Sequence, residues 1–113
     1  MFVSQPSRAQ SDVNTAYRTH VQRFLGSAGE SKWDGRWCEL ASGYRTSVQL
    51  HPRSEVFSVV SGRGLIFIGG ETRRIGAGTV VFVPAGQEHA LINDGVDTLV
   101  VVASCWDGQA AAA

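Results

Sequence analysis

The pattern of apolar and polar positions changes near Trp33. Before it, Val13, Tyr17, Val21 and Phe24 recur at near-helical spacing, while His20 to Leu25 also reads as a short strand. Both readings stay open at this point. Residues 1–14 are rich in Ser, Gln and Ala and carry little periodicity, which predicts a mobile arm or one that orders on a partner. From Trp33 onward, short runs of β-branched and aromatic residues are cut by glycine-bearing turns. The spacing predicts eight strands: Arg36 to Ala41, Thr46 to His51, Glu55 to Ser61, Gly64 to Gly69, Glu71 to Ile75, Thr79 to Val83, Glu88 to Asn93 and Thr98 to Trp106. The last run, Leu99 to Ala103, is apolar throughout, and its β-branched content and Asp94-Gly95 entry turn make it a strand. Eight strands with no long helix predict an all-β fold, closed or nearly so, over residues 15–107, with a short tail at 108–113.

Composition narrows the function without naming it. A chain of 113 residues buries one core, so a single domain is expected. Ten basic and ten acidic residues leave no long-range field to gather nucleic acid or an anionic membrane surface. The two cysteines, Cys38 and Cys105, are too few for a disulfide scaffold and read as reduced, packed thiols. Met1 to Asp12 lacks the charged start and apolar run of a signal peptide, and no stretch approaches membrane-spanning length, so a cytoplasmic protein is expected.

Candidate chemistry sits at three turns. On a strand Gln49 and His51 share a face. Pro52 holds His51 extended, and the turn through Arg53 and Ser54 returns the chain so that Glu55 opens the next strand toward the same interior. Pro84-Ala85-Gly86 delivers His89 at the head of another strand. Two imidazoles and one carboxylate form the set of facial-triad iron sites, with positions left open for water, substrate or oxygen, and the set also suits zinc, nickel or manganese. Gln49, a neutral oxygen donor, either completes the shell or hydrogen-bonds a metal-bound water.

In these residues the chain resembles the cupin family, whose first motif runs Gly, five residues, His, one residue, His, three or four residues, Glu, six residues, Gly. Here Gly43 is followed by five residues, Gln49, Leu50, His51, three residues, Glu55, six residues and Gly62. The second motif, Gly, five residues, Pro, one residue, Gly, two residues, His, three residues, Asn, is met in full by Gly78, Pro84, Gly86, His89 and Asn93. The resemblance covers Gly43 to Asn93 and extends through flanking strands to about Trp106. It implies a small cupin barrel (double-stranded β-helix, or jelly roll), one divalent metal ion at His51, Glu55 and His89 with Gln49 at the fourth ligand position, and a homodimer. The departure is Gln49, which stands where most metal-binding cupins have their first histidine.

Phe57 and Leu91 are expected in the core or the pocket wall, and Arg45, with the strand parity of Gln49, is a candidate clamp for an anionic substrate if it faces inward. The leading expectation is a metal-dependent enzyme acting on a small organic molecule inside the barrel. Its chemistry is either dioxygenase-like cleavage at iron or non-redox cyclisation, isomerisation or lyase elimination, as in cupins of polyketide tailoring. Glu55 is the candidate general base if it does not bind metal. The competing expectation is a non-catalytic module that senses a metal or small ligand. For the homodimer, the segment from Tyr17 to Leu25 is the expected contributor to the interface.

Overall fold

Alternation along the strands decides which side chains enter the interior and therefore which chemistry the interior holds. The computed structural model describes residues 12–14, 19–23, 33–50 and 52–107. Among these, nine strands form: β1 (Asp12–Asn14), β2 (Thr19–Arg23), β3 (Trp33–Leu40), β4 (Arg53–Ser61), β5 (Arg63–Ile68), β6 (Glu71–Gly76), β7 (Val80–Val83), β8 (His89–Ile92) and β9 (Leu99–Asp107). They make a six-stranded sheet in the order β1-β2-β3-β9-β4-β7 and a three-stranded sheet in the order β6-β5-β8, with all pairings antiparallel. The fold is all-β, a jelly roll of two sheets that do not hydrogen-bond into one closed ring. No helix among the described residues is long and apolar enough to cross a membrane.

The apolar run of β9 is explained by its place between β3 and β4. Its odd-numbered residues Leu99, Val101, Ala103 and Cys105 are buried, and they join Leu40, Phe57, Val59, Ile66, Ile75, Val83 and Leu91 between the sheets. Val100 and Val102 point to the outer face and are half-buried. Asn93, the last residue of the second motif, is also buried. Its Nδ2 donates to the carbonyls of Leu40 and Asp97, and its Oδ1 accepts from Gly95 N, so one amide ties the turn before β9 to the end of β3.

Two expectations for the amino-terminal residues change. The helical reading of Val13 to Phe24 gives way to strand over Thr19–Arg23, which pairs residue for residue with Arg36 to Leu40, while Tyr17 and Phe24 lie outside the described residues. Asp12–Asn14, placed in the mobile arm, forms β1 against β2; a short edge strand needs backbone hydrogen bonds and little apolar periodicity. The remainder of 1–14, most of Tyr17 to Leu25 outside β2, and the tail 108–113 lie outside the described residues.

Across residues 46–50, the described part of the predicted strand Thr46 to His51, no strand forms. Arg45 bridges Ile92 and Gln49 bridges His89 as isolated pairs, one register step out of phase. Between them the Thr46 hydroxyl accepts the Leu91 N–H at 2.9 Å, taking the place of a ladder carbonyl. A side chain competing for a backbone donor in this way interrupts a strand.

Candidate metal centre

Glu55 and His89 come from different sheets and meet inside the fold. Glu55 lies on β4 with Phe57 and Val59 on its inward row, and His89 opens β8 on the row of Leu91. His89 Nε2 is 3.1 Å from Glu55 Oε1, and the two side chains are 3% and 2% exposed. The turn at Pro84 to Gln87 supplies the orientation of the imidazole: Gly86 takes φ +82°, and the Gln87 carbonyl lies 3.0 Å from His89 Nδ1. With the Nδ1 proton directed at that carbonyl, Nε2 is the nitrogen that faces the carboxylate, as an N–H donor to Glu55 in the imidazolium and as a lone pair when a cation stands between them. The Phe57 ring packs against the imidazole at 5.9 Å between centroids.

A third group completes the pair. Arg36, on the inner row of β3 with Cys38 and Leu40, places Nη2 3.3 Å from Glu55 Oε2 and 3.8 Å from Cys105 Sγ. Burial disfavours the charge on Arg36, but the Glu55 carboxylate together with the Cys105 and Cys38 sulfurs beside it outweighs burial, and the guanidinium is held above its ordinary value. The same balance acts on His89: burial works against the imidazolium, while the Glu55 carboxylate and the Gln87 carbonyl raise its pKa above the ordinary imidazole value. Arg53, half-buried and two residues before Glu55 on the same side of β4, adds a second cation at this end of the fold. Sequence reasoning did not select either arginine for the site. The available signal was an arginine in alternation with Cys38 and Leu40 on a face that is otherwise apolar.

The remaining candidates fall into place unequally. Gln49 exchanges both backbone hydrogen bonds with His89, at 2.9 and 3.0 Å, and directly opposed residues of an antiparallel pair present their side chains on one face. Gln49 is thus on the His89 side, exposed at the rim. Phe57 and Leu91 are buried, Phe57 against His89 itself. Arg45 does not enter the interior. It is exposed and opposes Ile92, the neighbour of core residue Leu91 on the other face of β8, because the register slip at Thr46 cancels its parity with Gln49. His51 lies outside the described residues. Among the described residues no group of three or more His, Cys, Asp or Glu side chains converges.

The donors that do converge fit a divalent metal. A carboxylate oxygen and an imidazole nitrogen meet at 3.1 Å in a buried setting, where a cation would replace the Nε2 proton, and the second imidazole nitrogen points to a backbone carbonyl, which is the arrangement that orients a histidine ligand.

The fold and this site define a cupin. The Cupin_2 family model, a cupin domain, matches residues 36–105, and the chain belongs to that family. A protein of Streptomyces coelicolor bearing the name uncharacterized protein is 41% identical over 63 residues, which span 56% of this chain and 60% of that relative's length. Among solved structures, a Cupin 2 conserved barrel domain protein from Salinispora arenicola superposes with a TM-score of 0.81 at 25% identity, covering 95% of this chain and 89% of the other. A predicted oxalate decarboxylase from Thermotoga maritima, 23% identical with a TM-score of 0.74 over 79% of this chain and 80% of its own, shares the fold.

Proposed function

We propose that this cupin is a metal-dependent enzyme that converts a small organic molecule between its two sheets, with dioxygenase chemistry at iron as the leading reaction. The observation that carries the reading is the meeting of Glu55 and His89, two buried donors brought from opposite sheets to 3.1 Å. His51 is the third expected ligand by its place in the family motif, and Gln49 is the fourth donor or the partner of a bound water. The metal, when bound by two imidazoles and a carboxylate, supplies open coordination positions for substrate and oxygen at iron, or Lewis acidity at zinc, nickel or manganese.

The chain's own residues do the positioning. The Gln87 carbonyl fixes the His89 tautomer, Phe57 covers the imidazole face, and Arg36 holds the Glu55 carboxylate from its other oxygen. Where Glu55 stays off the metal, the same carboxylate is placed to take a proton from substrate. The reading includes a homodimer: Val80 and Phe82 are 66% and 51% exposed on the outer face of the six-stranded sheet, where Phe82 stacks on Trp106, and a second copy would cover them.

Metal analysis of tag-free protein, followed by ferrous reconstitution and oxygen uptake with phenolic and diketone substrates, tests the proposal. Oxygen consumption that depends on Glu55 and His89 supports it. Turnover without oxygen uptake replaces the dioxygenase with a non-redox enzyme, and bound metal without turnover across the panel leaves a binding module.

A further inference from the structure

Arg36 has more hydrogen-bonding capacity than Glu55 uses. The guanidinium carries five N–H donors, and an Arg–carboxylate pair frequently uses two of them in a fork. The exposed pair Arg74 and Asp94 shows that geometry in this same chain, with contacts of 3.0 and 2.8 Å from two nitrogens to two oxygens. Arg36 instead makes one contact to Glu55 at 3.3 Å, and its buried Nε has no hydrogen-bond partner among the described residues. Its side chain is 28% exposed against 2% for Glu55, so it reaches from the buried carboxylate toward solvent.

Charge gives the same direction. Among the described side chains Glu55 is the one buried acid, and Arg36 already balances it. A divalent cation held by Glu55, the neutral His89 imidazole and a neutral Gln49, with Arg36 and Arg53 nearby, leaves the site with a net positive charge, and in a water-poor interior such a site is stabilised by an incoming anion.

We propose that Arg36 anchors a carboxylate of the substrate, so that the site takes small organic acids that present a second oxygen toward Glu55 and His89. The proposal rests on the metal-dependent reading above and names its substrate class. A purely structural Arg36, present to balance Glu55, predicts no ligand charge preference.

Salicylate and its neutral isostere salicylamide, titrated calorimetrically into protein loaded with one equivalent of Mn(II), separate the two. Wild type is expected to bind salicylate at least ten-fold more tightly than salicylamide, and R36Q to bind both within two-fold while still holding one Mn(II). Equal binding of the two ligands by wild type, or a preference that survives in R36Q, overturns the assignment. If R36Q loses the β-sheet circular dichroism, R36K carries the test: a preference reduced at least three-fold supports the anchor, and an unchanged one overturns it. Should wild type hold no Mn(II), the metal-dependent reading fails by itself. The same titrations on metal-free protein then decide Arg36, which stands if salicylate is preferred in an Arg36-dependent way and falls if it is not.

Discussion

Glu55 and His89 hold the two sheets in contact through polar atoms, 3.1 Å apart, at one end of an interior that is otherwise apolar. A buried unpaired carboxylate is strongly unfavourable, and Glu55 is met there by Arg36 as well as by His89. The pair therefore has a consequence for stability as well as for chemistry. Tag-free protein is expected to hold close to one divalent ion per chain, and at ligand concentrations near 100 times the dissociation constant the ion adds about 2.7 kcal/mol to stability. For a chain of this size, chelation should lower the melting temperature by roughly 10 °C or more, read by differential scanning calorimetry with and without EDTA.

Removing one donor separates the metal from the fold. Glu55→Gln and His89→Ala are each expected to weaken metal affinity by at least about ten-fold, while leaving the β-sheet spectrum in place. Metal retained at wild-type affinity by both variants would remove the pair from the coordination shell.

Gln49 offers a test in the opposite direction. Its backbone is locked to His89 by two hydrogen bonds and its side chain lies on the His89 face. Imidazole is a stronger donor than an amide oxygen toward late first-row metals, so Gln49→His should tighten zinc or nickel binding by about ten-fold. Competition titration with a chromophoric chelator measures it. An unchanged affinity would place Gln49 outside the shell of direct ligands.

The motifs made the chemistry of this chain readable because they are local: Gly62, Gly78, Pro84 and Gly86 specify turns, and turns set where strands begin. The β4 to β9 strands follow from that punctuation with ends displaced by a residue or two. What could not be read was register. Arg45 and Gln49 share parity in the sequence, yet a single hydroxyl, that of Thr46, replaces one ladder acceptor and turns Arg45 away from the interior. Arg36 escaped notice for the complementary reason, since its partner Glu55 is brought near only by the long-range pairing of β3 and β4 with β9. A side chain competing for a backbone donor and a strand order set by distant pairing both lie beyond local pattern.

Cys38 faces the interior beside Arg36, and burial pushes its thiol up to about 11, the effect of Arg36 in the other direction being smaller. At pH 8 the thiolate is then on the order of one part in a thousand, against about a quarter for an ordinary thiol. Alkylation of Cys38 by iodoacetamide in the folded protein should run at least about a hundred-fold slower than in urea, followed by mass spectrometry of the Cys38 peptide. Labelling at the rate of a free thiol would show that the thiol is neither buried nor protonated as described.

Gly62 and Gly78 close the first motif and open the second, and both take left-handed backbone angles, φ +84° and +89°. Alanine at either position meets the conformational penalty of about 1–2 kcal/mol that a Cβ carries in this region. The surroundings differ. A Cβ on Gly62 would lie 2.5 Å from the Thr98 carbonyl oxygen and 3.0 Å from Leu99 Cα, backbone atoms at the start of the central strand β9, whereas a Cβ on Gly78 meets nothing within 4 Å. Backbone displacement in a packed sheet adds roughly 1–3 kcal/mol. Gly78→Ala is therefore expected to cost about 1–2 kcal/mol and Gly62→Ala about 2–5 kcal/mol, compared by urea denaturation in the same buffer. Equal losses would mean that β9 yields to the added methyl, and that Gly62 is required for its angle alone and not for the approach of Thr98.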